Sequence, residues 1–181
     1  IIKYNLVFSQ ISSNESYSVN TIAFYNVENL FDTIDDPLTR DDDRTPQGKD
    51  KWTIDIYNKK LNNLSRVINE IGSDLTNTTP TIVGLCEVEN KKVLQDLINT
   101  NLLKNSNYGI IHFDSPDERG VDVALLYKTG KFNPLTIKNY PLYLMNSNGT
   151  KDFTRDHLVV SGFLENEMIY MIVNHWPSRA G

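Results

Sequence analysis

Two short apolar segments alternate with two amphipathic segments, and this order constrains the fold more than any other feature of the sequence. Residues 21–25 (TIAFY) and 81–86 (TIVGLC) are rich in β-branched, aromatic and aliphatic residues, which is typical of buried strands. Between residues 52 and 71, apolar side chains recur at spacings of three and four, which predicts a helix that ends before Gly72. Residues 90–103 predict a second helix. Strand, helix, strand and helix in this order indicate α/β layering.

Beyond residue 108 the pattern changes from helices to strands. Segments rich in Pro, Gly, Asn and Asp separate a series of apolar or alternating stretches. We expect strands at 108–113, 121–127, 135–144, 157–164 and 168–174. The predicted order is therefore βαβα followed by a β-meander.

The two ends of the chain differ in character. Residues 20–181 carry the predicted strands and helices, so we expect them to belong to one domain. Residues 1–19 are first apolar and then serine-rich, which indicates an N-terminal arm or the remnant of an export signal. The second interpretation favours a secreted or periplasmic protein over a cytoplasmic one.

Composition excludes several classes of protein. Apolar residues make up 39% of the 181 residues, which is enough to form a core and excludes wholesale disorder. Cys86 is the single cysteine, so a disulfide scaffold and a cysteine-rich metal site are excluded. The net charge of −5 disfavours a protein that holds nucleic acid by bulk electrostatics, although a bound metal ion would reverse the local charge. No apolar run approaches the ~20 residues of a transmembrane helix, and no obligate protein partner is evident.

Reactive polar residues cluster at the ends of the apolar strands. The clusters are FYNVEN (24–29), LCEVEN (85–90), TRDH (154–157) and VNHWPSR (173–179). Strand ends are where layered α/β folds assemble their sites. Each cluster alone also has a structural explanation, such as a turn cap, an ion pair or a ring packed on Trp176.

Taken together and in order, these clusters and RGVDVALLY (119–127) resemble the endonuclease/exonuclease/phosphatase superfamily of deoxyribonuclease I-like enzymes. The resemblance runs from about Thr21 to Gly181 and is nearest to a bacterial branch marked by NVENLFD and NHWPSR. It implies an α/β fold, a four-layer sandwich of two mixed β-sheets flanked by helices, here incomplete at the C-terminus. It also implies a divalent-metal-dependent phosphoesterase, most similar to nucleases, acting on phosphodiester or phosphomonoester bonds.

The resemblance implies roles for individual residues. Glu87 and Asn26 match metal-binding positions, and the implied ion is Mg²⁺, with Mn²⁺ or Ca²⁺ as alternatives. His175, Asn26, Arg155 and Asp122 match catalytic positions, with Asp122 expected to orient Arg155 or His175. The chemistry of the side chains agrees, because magnesium prefers oxygen ligands and an imidazole can donate to a phosphate oxygen.

Substrate contacts are expected from Arg155, Asn174 and Arg179, since a guanidinium fork fits a phosphate. Arg119 is an exposed loop arginine of the kind that is usually only solvated, and we leave it out of this set. His112 and His157 are expected to be structural. The substrate is a phosphate ester, with nucleic acid as one candidate beside a phospholipid head group and a small phosphodiester.

The family pattern also contains a GDFN-like strand end and a final Ser-Asp-His-like motif, and this sequence has neither. We therefore expect the chain to be the N-terminal part of a longer catalytic domain and to be inactive alone. One alternative is a degenerate homologue that binds phosphate without turnover. Another is a glycosidase that pairs Glu87 with Glu89, because residues two apart on a strand share a face and can approach the ~5–5.5 Å of a retaining pair.

Overall fold

The computed structural model describes residues 17–177, and Arg179 lies outside them. The helices are α1 (Ile54–Glu70), α2 (Ser73–Thr76) and α3 (Lys91–Ile98), with a 3₁₀ turn at Asp42–Arg44. The strands are β1 (Ile22–Leu30), β2 (Ile82–Val88), β3 (Tyr108–His112), β4 (Asp122–Lys128), β5 (Phe132–Tyr140), β6 (Leu144–Met145), β7 (Lys151–Asp152), β8 (His157–Leu164) and β9 (Glu167–Val173). Among these residues, no helix has the length and apolar character needed to cross a bilayer.

The first sheet has the strand order β1-β2-β4-β3 and is mixed. Strands β1 and β2 run parallel, with Asn26 opposite Cys86, because the loop and helix α1 between them return the chain to the same edge. Strand β4 is antiparallel to both β2 and β3. The parallel pair places the ends of β1 and β2 side by side, so polar residues that follow these strands are neighbours.

Helices α1 and α3 cover one face of this sheet. Val83 and Leu85 of β2 pack in one buried cluster with Leu61 and Ile68 of α1 and Leu94 of α3. These helical residues are the apolar stripes that the spacing of three and four predicts. Burial of the stripe, rather than helix propensity alone, holds each helix on the sheet.

The second sheet, β5-β8-β9, packs against the opposite face of the first sheet. Ile82 and Cys86 alternate with the helix-facing residues of β2 and join Leu158 and Val173 in a second buried cluster. A Cβ atom on Gly84 would lie 3.3 Å from Val173, which is a tight contact, so the two sheets approach each other closely at this glycine. Helices, first sheet and second sheet thus form three stacked layers.

The α/β fold is confirmed, with two differences from the predicted sandwich. All described pairs of the second sheet are antiparallel, whereas a mixed sheet is expected from the family. No helix covers the outer face of that sheet within residues 17–177, and its apolar side chains are exposed there, with Tyr170 at 73% and Ile172 at 64%. The predicted helix at 90–103 is shorter, since it ends at Ile98.

Candidate active site

A bulge in strand β2 directs Glu87 out of the regular alternation of side chains. Cys86 pairs with Val123 and Val88 with Asp122, so Glu87 is an extra residue without a partner in the ladder. Its φ of 63° is left-handed, a conformation that non-glycine residues rarely adopt. Backbone strain of this kind is concentrated at functional sites, where the surrounding structure holds the residue in place.

Asn26, on the neighbouring strand β1, fixes the carboxylate of Glu87. The Asn26 amide Nδ2 donates to Glu87 Oε1 at 3.2 Å, and its Oδ1 accepts from the backbone N–H of Glu28 at 2.7 Å. Among the described hydrogen bonds, none uses the second carboxylate oxygen of Glu87. A free oxygen on an oriented carboxylate is the donor that a hard cation such as Mg²⁺ requires, so the residues present fit the metal implied by the sequence.

His175 reaches the same point from the second sheet. It follows β9, and its Nε2 lies 3.5 Å from Glu87 Oε1. Burial lowers the pKa of His175, and the neighbouring Arg155 lowers it further. The Glu87 carboxylate, at which one ring nitrogen is directed, acts in the opposite sense and raises the pKa of His175.

Arg155 is buried behind His175. Its Nη1 donates to Asp117 Oδ2 at 2.9 Å and its Nη2 donates to the backbone carbonyl of His175 at 3.1 Å. Strands β8 and β9 are antiparallel neighbours. Arg155, two residues before β8, and His175, two residues after β9, therefore meet at one end of the sheet. The structure thus brings Asn26, Glu87, His175 and Arg155 together, while both terminal nitrogens of Arg155 already have protein acceptors.

Asp122 has a different role from the expected one. Its Oδ2 lies 3.0 Å from His112 Nε2, and its Oδ1 accepts from the backbone N–H of Ser115 at 2.9 Å and from the Ser115 hydroxyl. The carboxylate that holds Arg155 belongs to Asp117. The expectation that Asp122 orients Arg155 or His175 is therefore wrong, because Asp122 instead anchors the start of the β3–β4 loop.

Three residues around Asp122 lie close enough together to hold a metal ion. Ligand atoms of His112, Asp114 and Asp122 lie within 4.8 Å of one another. The side chains of His112 and Asp122 are 3% and 4% exposed and are bonded to each other, which satisfies both within the protein. His112, expected to be structural, has a structural partner here.

Glu89 lies in a separate acidic region. Its Oε2 accepts from the backbone N–H of Asp32 at 2.6 Å. The pKa of Glu89 is raised to about 7, mainly by burial. The hydrogen bond from the Asp32 backbone lowers it, and the carboxylates of Asp32, Asp41 and Asp36 contribute to the rise. Glu87 contacts Asn26 and His175, whereas Glu89 binds the Asp32 backbone, so the two carboxylates have different partners. A glycosidase that pairs Glu87 with Glu89 stays a prediction.

The sequence motifs did not indicate two features of the site, the buried carboxylate of Asp117 and a group of buried polar atoms without partners. Asp117, 5% exposed, lies in the turn SPDERG of the β3–β4 loop, where a polar residue ordinarily indicates only solvent exposure. Thr154, Arg155, Asp156 and His175 each keep a buried polar atom without a partner among the described residues, and such a concentration indicates a site. Asn174 follows β9 and is half-buried, while the predicted contact from Arg179 lies outside the described residues.

Comparison with known proteins identifies the family of this chain. A family model described as "Endonuclease/Exonuclease/phosphatase family" matches residues 21–181. The chain therefore belongs to the endonuclease/exonuclease/phosphatase family. A search of curated proteins found no significant match.

Three solved structures are similar to this chain at low sequence identity. A mannosyl-6-phosphatase from Bacteroides thetaiotaomicron is 16% identical with a TM-score of 0.50, over 85% of this chain and 50% of its own. A humanized D. rerio TDP2 is 14% identical with a TM-score of 0.46, over 84% and 45% of the two chains. ANGEL2, a 2′,3′-cyclic phosphatase, is 14% identical with a TM-score of 0.49, over 83% and 39%. The chain thus spans half or less of the length of these structures.

Proposed function

We propose that the full-length protein is a divalent-metal-dependent phosphoesterase that hydrolyses phosphodiester bonds. The observation that carries the proposal is the placement of Glu87, held in a left-handed bulge and contacted by Asn26 and His175 in a chain of this family. A phosphodiester is anionic and repels nucleophiles, so its hydrolysis needs a cation to neutralise developing charge.

Glu87 would bind the metal directly through its free carboxylate oxygen. Asn26 orients Glu87 through Nδ2, and its amide oxygen retains a lone pair that can face the ion. Magnesium keeps several waters and is often held by one or two carboxylates, so this small ligand set is compatible with it. When bound, the ion supplies charge neutralisation at the phosphate.

The chain's own residues would bind and orient the phosphate. In the tautomer that carries its proton on Nε2, His175 can donate a hydrogen bond to a non-bridging phosphate oxygen. Arg155 holds the backbone carbonyl of His175 and so fixes the position of that ring. Asn174 and Arg179 are the further substrate contacts in this proposal.

The proposal is tested with the full-length protein and two chromogenic probes. Bis(p-nitrophenyl) phosphate reports diester hydrolysis and p-nitrophenyl phosphate reports monoester hydrolysis, each with Mg²⁺, Mn²⁺ or Ca²⁺. We expect diester hydrolysis that EDTA abolishes and added metal restores. Hydrolysis that EDTA does not reduce would contradict a metal-dependent mechanism. Hydrolysis of p-nitrophenyl phosphate alone would show that the protein cleaves phosphomonoesters rather than phosphodiesters. A protein that binds phosphate but hydrolyses neither probe would support the degenerate alternative.

A further inference from the structure

Asp117 contacts two arginines through its two carboxylate oxygens. Oδ2 accepts from Arg155 Nη1 at 2.9 Å, while Oδ1 accepts from the backbone N–H of Arg119 at 3.0 Å and from its Nε at 3.3 Å. One negative charge thus lies between two positive charges, which leaves the group with a net positive charge. A positive group beside a metal-binding carboxylate favours an anionic ligand.

The two arginines differ in what remains available to a ligand. The Arg155 side chain is 7% exposed, and both of its terminal nitrogens have protein acceptors. The Arg119 side chain is 52% exposed, and only its Nε is used, so both terminal nitrogens are without partners among residues 17–177. Terminal guanidinium nitrogens are the donors that form a two-point contact with phosphate.

The backbone that carries Arg119 is fixed on both sides. Asp122 anchors the start of the loop through Ser115, and the Arg40 backbone N–H donates to the Glu118 carbonyl at 2.8 Å. Gly120, at a φ of 67°, lies so close to Thr39 that a Cβ atom would come within 2.9 Å of that side chain. An arginine on such a loop is pre-organised, so less conformational freedom is lost when it binds a ligand.

Arg119 is connected to the candidate site through Asp117 and Arg155. The geometric connection is short, since Arg119 and Arg155 share the Asp117 carboxylate and Arg155 bonds the His175 carbonyl.

We infer that Arg119 is the substrate-contacting arginine of this site and that its two terminal nitrogens bind non-bridging oxygens of the substrate phosphate. Asp117 is the positioning residue that aims Arg119 and at the same time locks Arg155 against His175. The inference rests on the proposed function, because it names a further contact of the same site. It reverses the order expected from the sequence, in which Arg155 makes the phosphate contact and Arg119 is only solvated.

The test measures phosphate affinity in the full-length protein with Mg²⁺. The variant is Arg119→Gln, and the matched control is Arg40→Gln, an exposed arginine of the facing loop that pairs with Glu118. We expect Arg119→Gln to raise the dissociation constant for inorganic phosphate and the KM for bis(p-nitrophenyl) phosphate about tenfold, as loss of a charge-assisted contact does. Its Tm should equal that of the wild type, and Arg40→Gln should change none of these values.

The role of Asp117 is tested by a double-mutant cycle with Arg119 that measures phosphate affinity. If Asp117 acts through Arg119, Asp117→Asn weakens phosphate binding, and adding Arg119→Gln to it weakens binding little further. Independent, additive losses would show that Asp117 has no positioning role. A folded Arg119→Gln protein that binds phosphate like the wild type would overturn the role of Arg119 and leave the phosphoesterase proposal intact. A wild-type protein that neither binds phosphate nor hydrolyses either probe would overturn both.

Discussion

His175 Nε2 lies 3.5 Å from Glu87 Oε1, although the two residues belong to different sheets. Glu87 is at the bulge of β2, and His175 follows the last described strand of the second sheet. The contact therefore depends on how the sheets stack, with Gly84 and Val173 in close approach beneath it. Any change that separates the sheets would separate this pair.

Replacement of Glu87 by Gln should remove activity and leave the fold intact. The substitution keeps the shape of the side chain but removes the charge that would hold the cation, so hydrolysis of bis(p-nitrophenyl) phosphate should fall by several orders of magnitude. Part of the activity should return at high metal concentration. Glu89→Gln is the matched control, because Glu89 binds the Asp32 backbone instead, and it should change turnover much less. Equal activity in both variants would exclude Glu87 as a metal ligand.

The left-handed backbone at Glu87 predicts an unusual order of stability. Alanine at this position keeps the strain of a φ of 63°, whereas glycine relieves it. Glu87→Gly should therefore be more stable than Glu87→Ala by about 1 kcal/mol, measured as the free energy of unfolding in urea. At an ordinary strand position the order is reversed, so an Ala variant as stable as the Gly variant would show that the bulge is absent.

The raised pKa of Glu89 predicts a pH-dependent stability. Its pKa is about 7 in the folded protein and 4.5 in the unfolded chain, so the folded state binds more protons between these values. The contribution of Glu89 to stability is therefore largest below pH 4.5 and is lost as the pH rises through about 7. Glu89→Gln is neutral at every pH and should raise the Tm at pH 8 while changing it little at pH 5. A Tm difference that does not vary with pH would contradict the raised pKa.

The buried Arg155–Asp117 pair should matter to stability far more than an exposed pair. Their side chains are 7% and 4% exposed, so removing one charge leaves the other buried without a partner. Arg155→Gln should lower the free energy of unfolding by about 3–5 kcal/mol. Arg40→Gln breaks a pair that is 75% and 47% exposed, and the expected loss is about 0–1 kcal/mol. Similar values for both variants in urea unfolding would show that Arg155 is solvated.

Local pattern was enough to predict the main helices and strands, whereas the candidate site residues were proposed from the resemblance to the family. The apolar stripe between residues 52 and 71 predicts α1, and TIVGLC predicts β2, because periodicity reports which face of an element is buried. Asn26, Glu87, Arg155 and His175 lie in motifs that match the family in order, at or near the ends of the apolar runs in the sequence. In α/β sheets, ligand sites form at the carboxyl ends of the strands.

Other features depended on contacts between distant parts of the chain, and only the tertiary structure decided them. Asp117 lies in the β3–β4 loop, and Asp122 begins β4. Nothing in the local sequence shows that Asp117 binds Arg155 and Asp122 binds His112. The bulge at Glu87 appears only as a register shift between β2 and β4. Sequence determines which residues are polar, buried or periodic, whereas the partner of a polar group depends on the stacking of the two sheets. Residue type and periodicity do not determine how the two sheets stack.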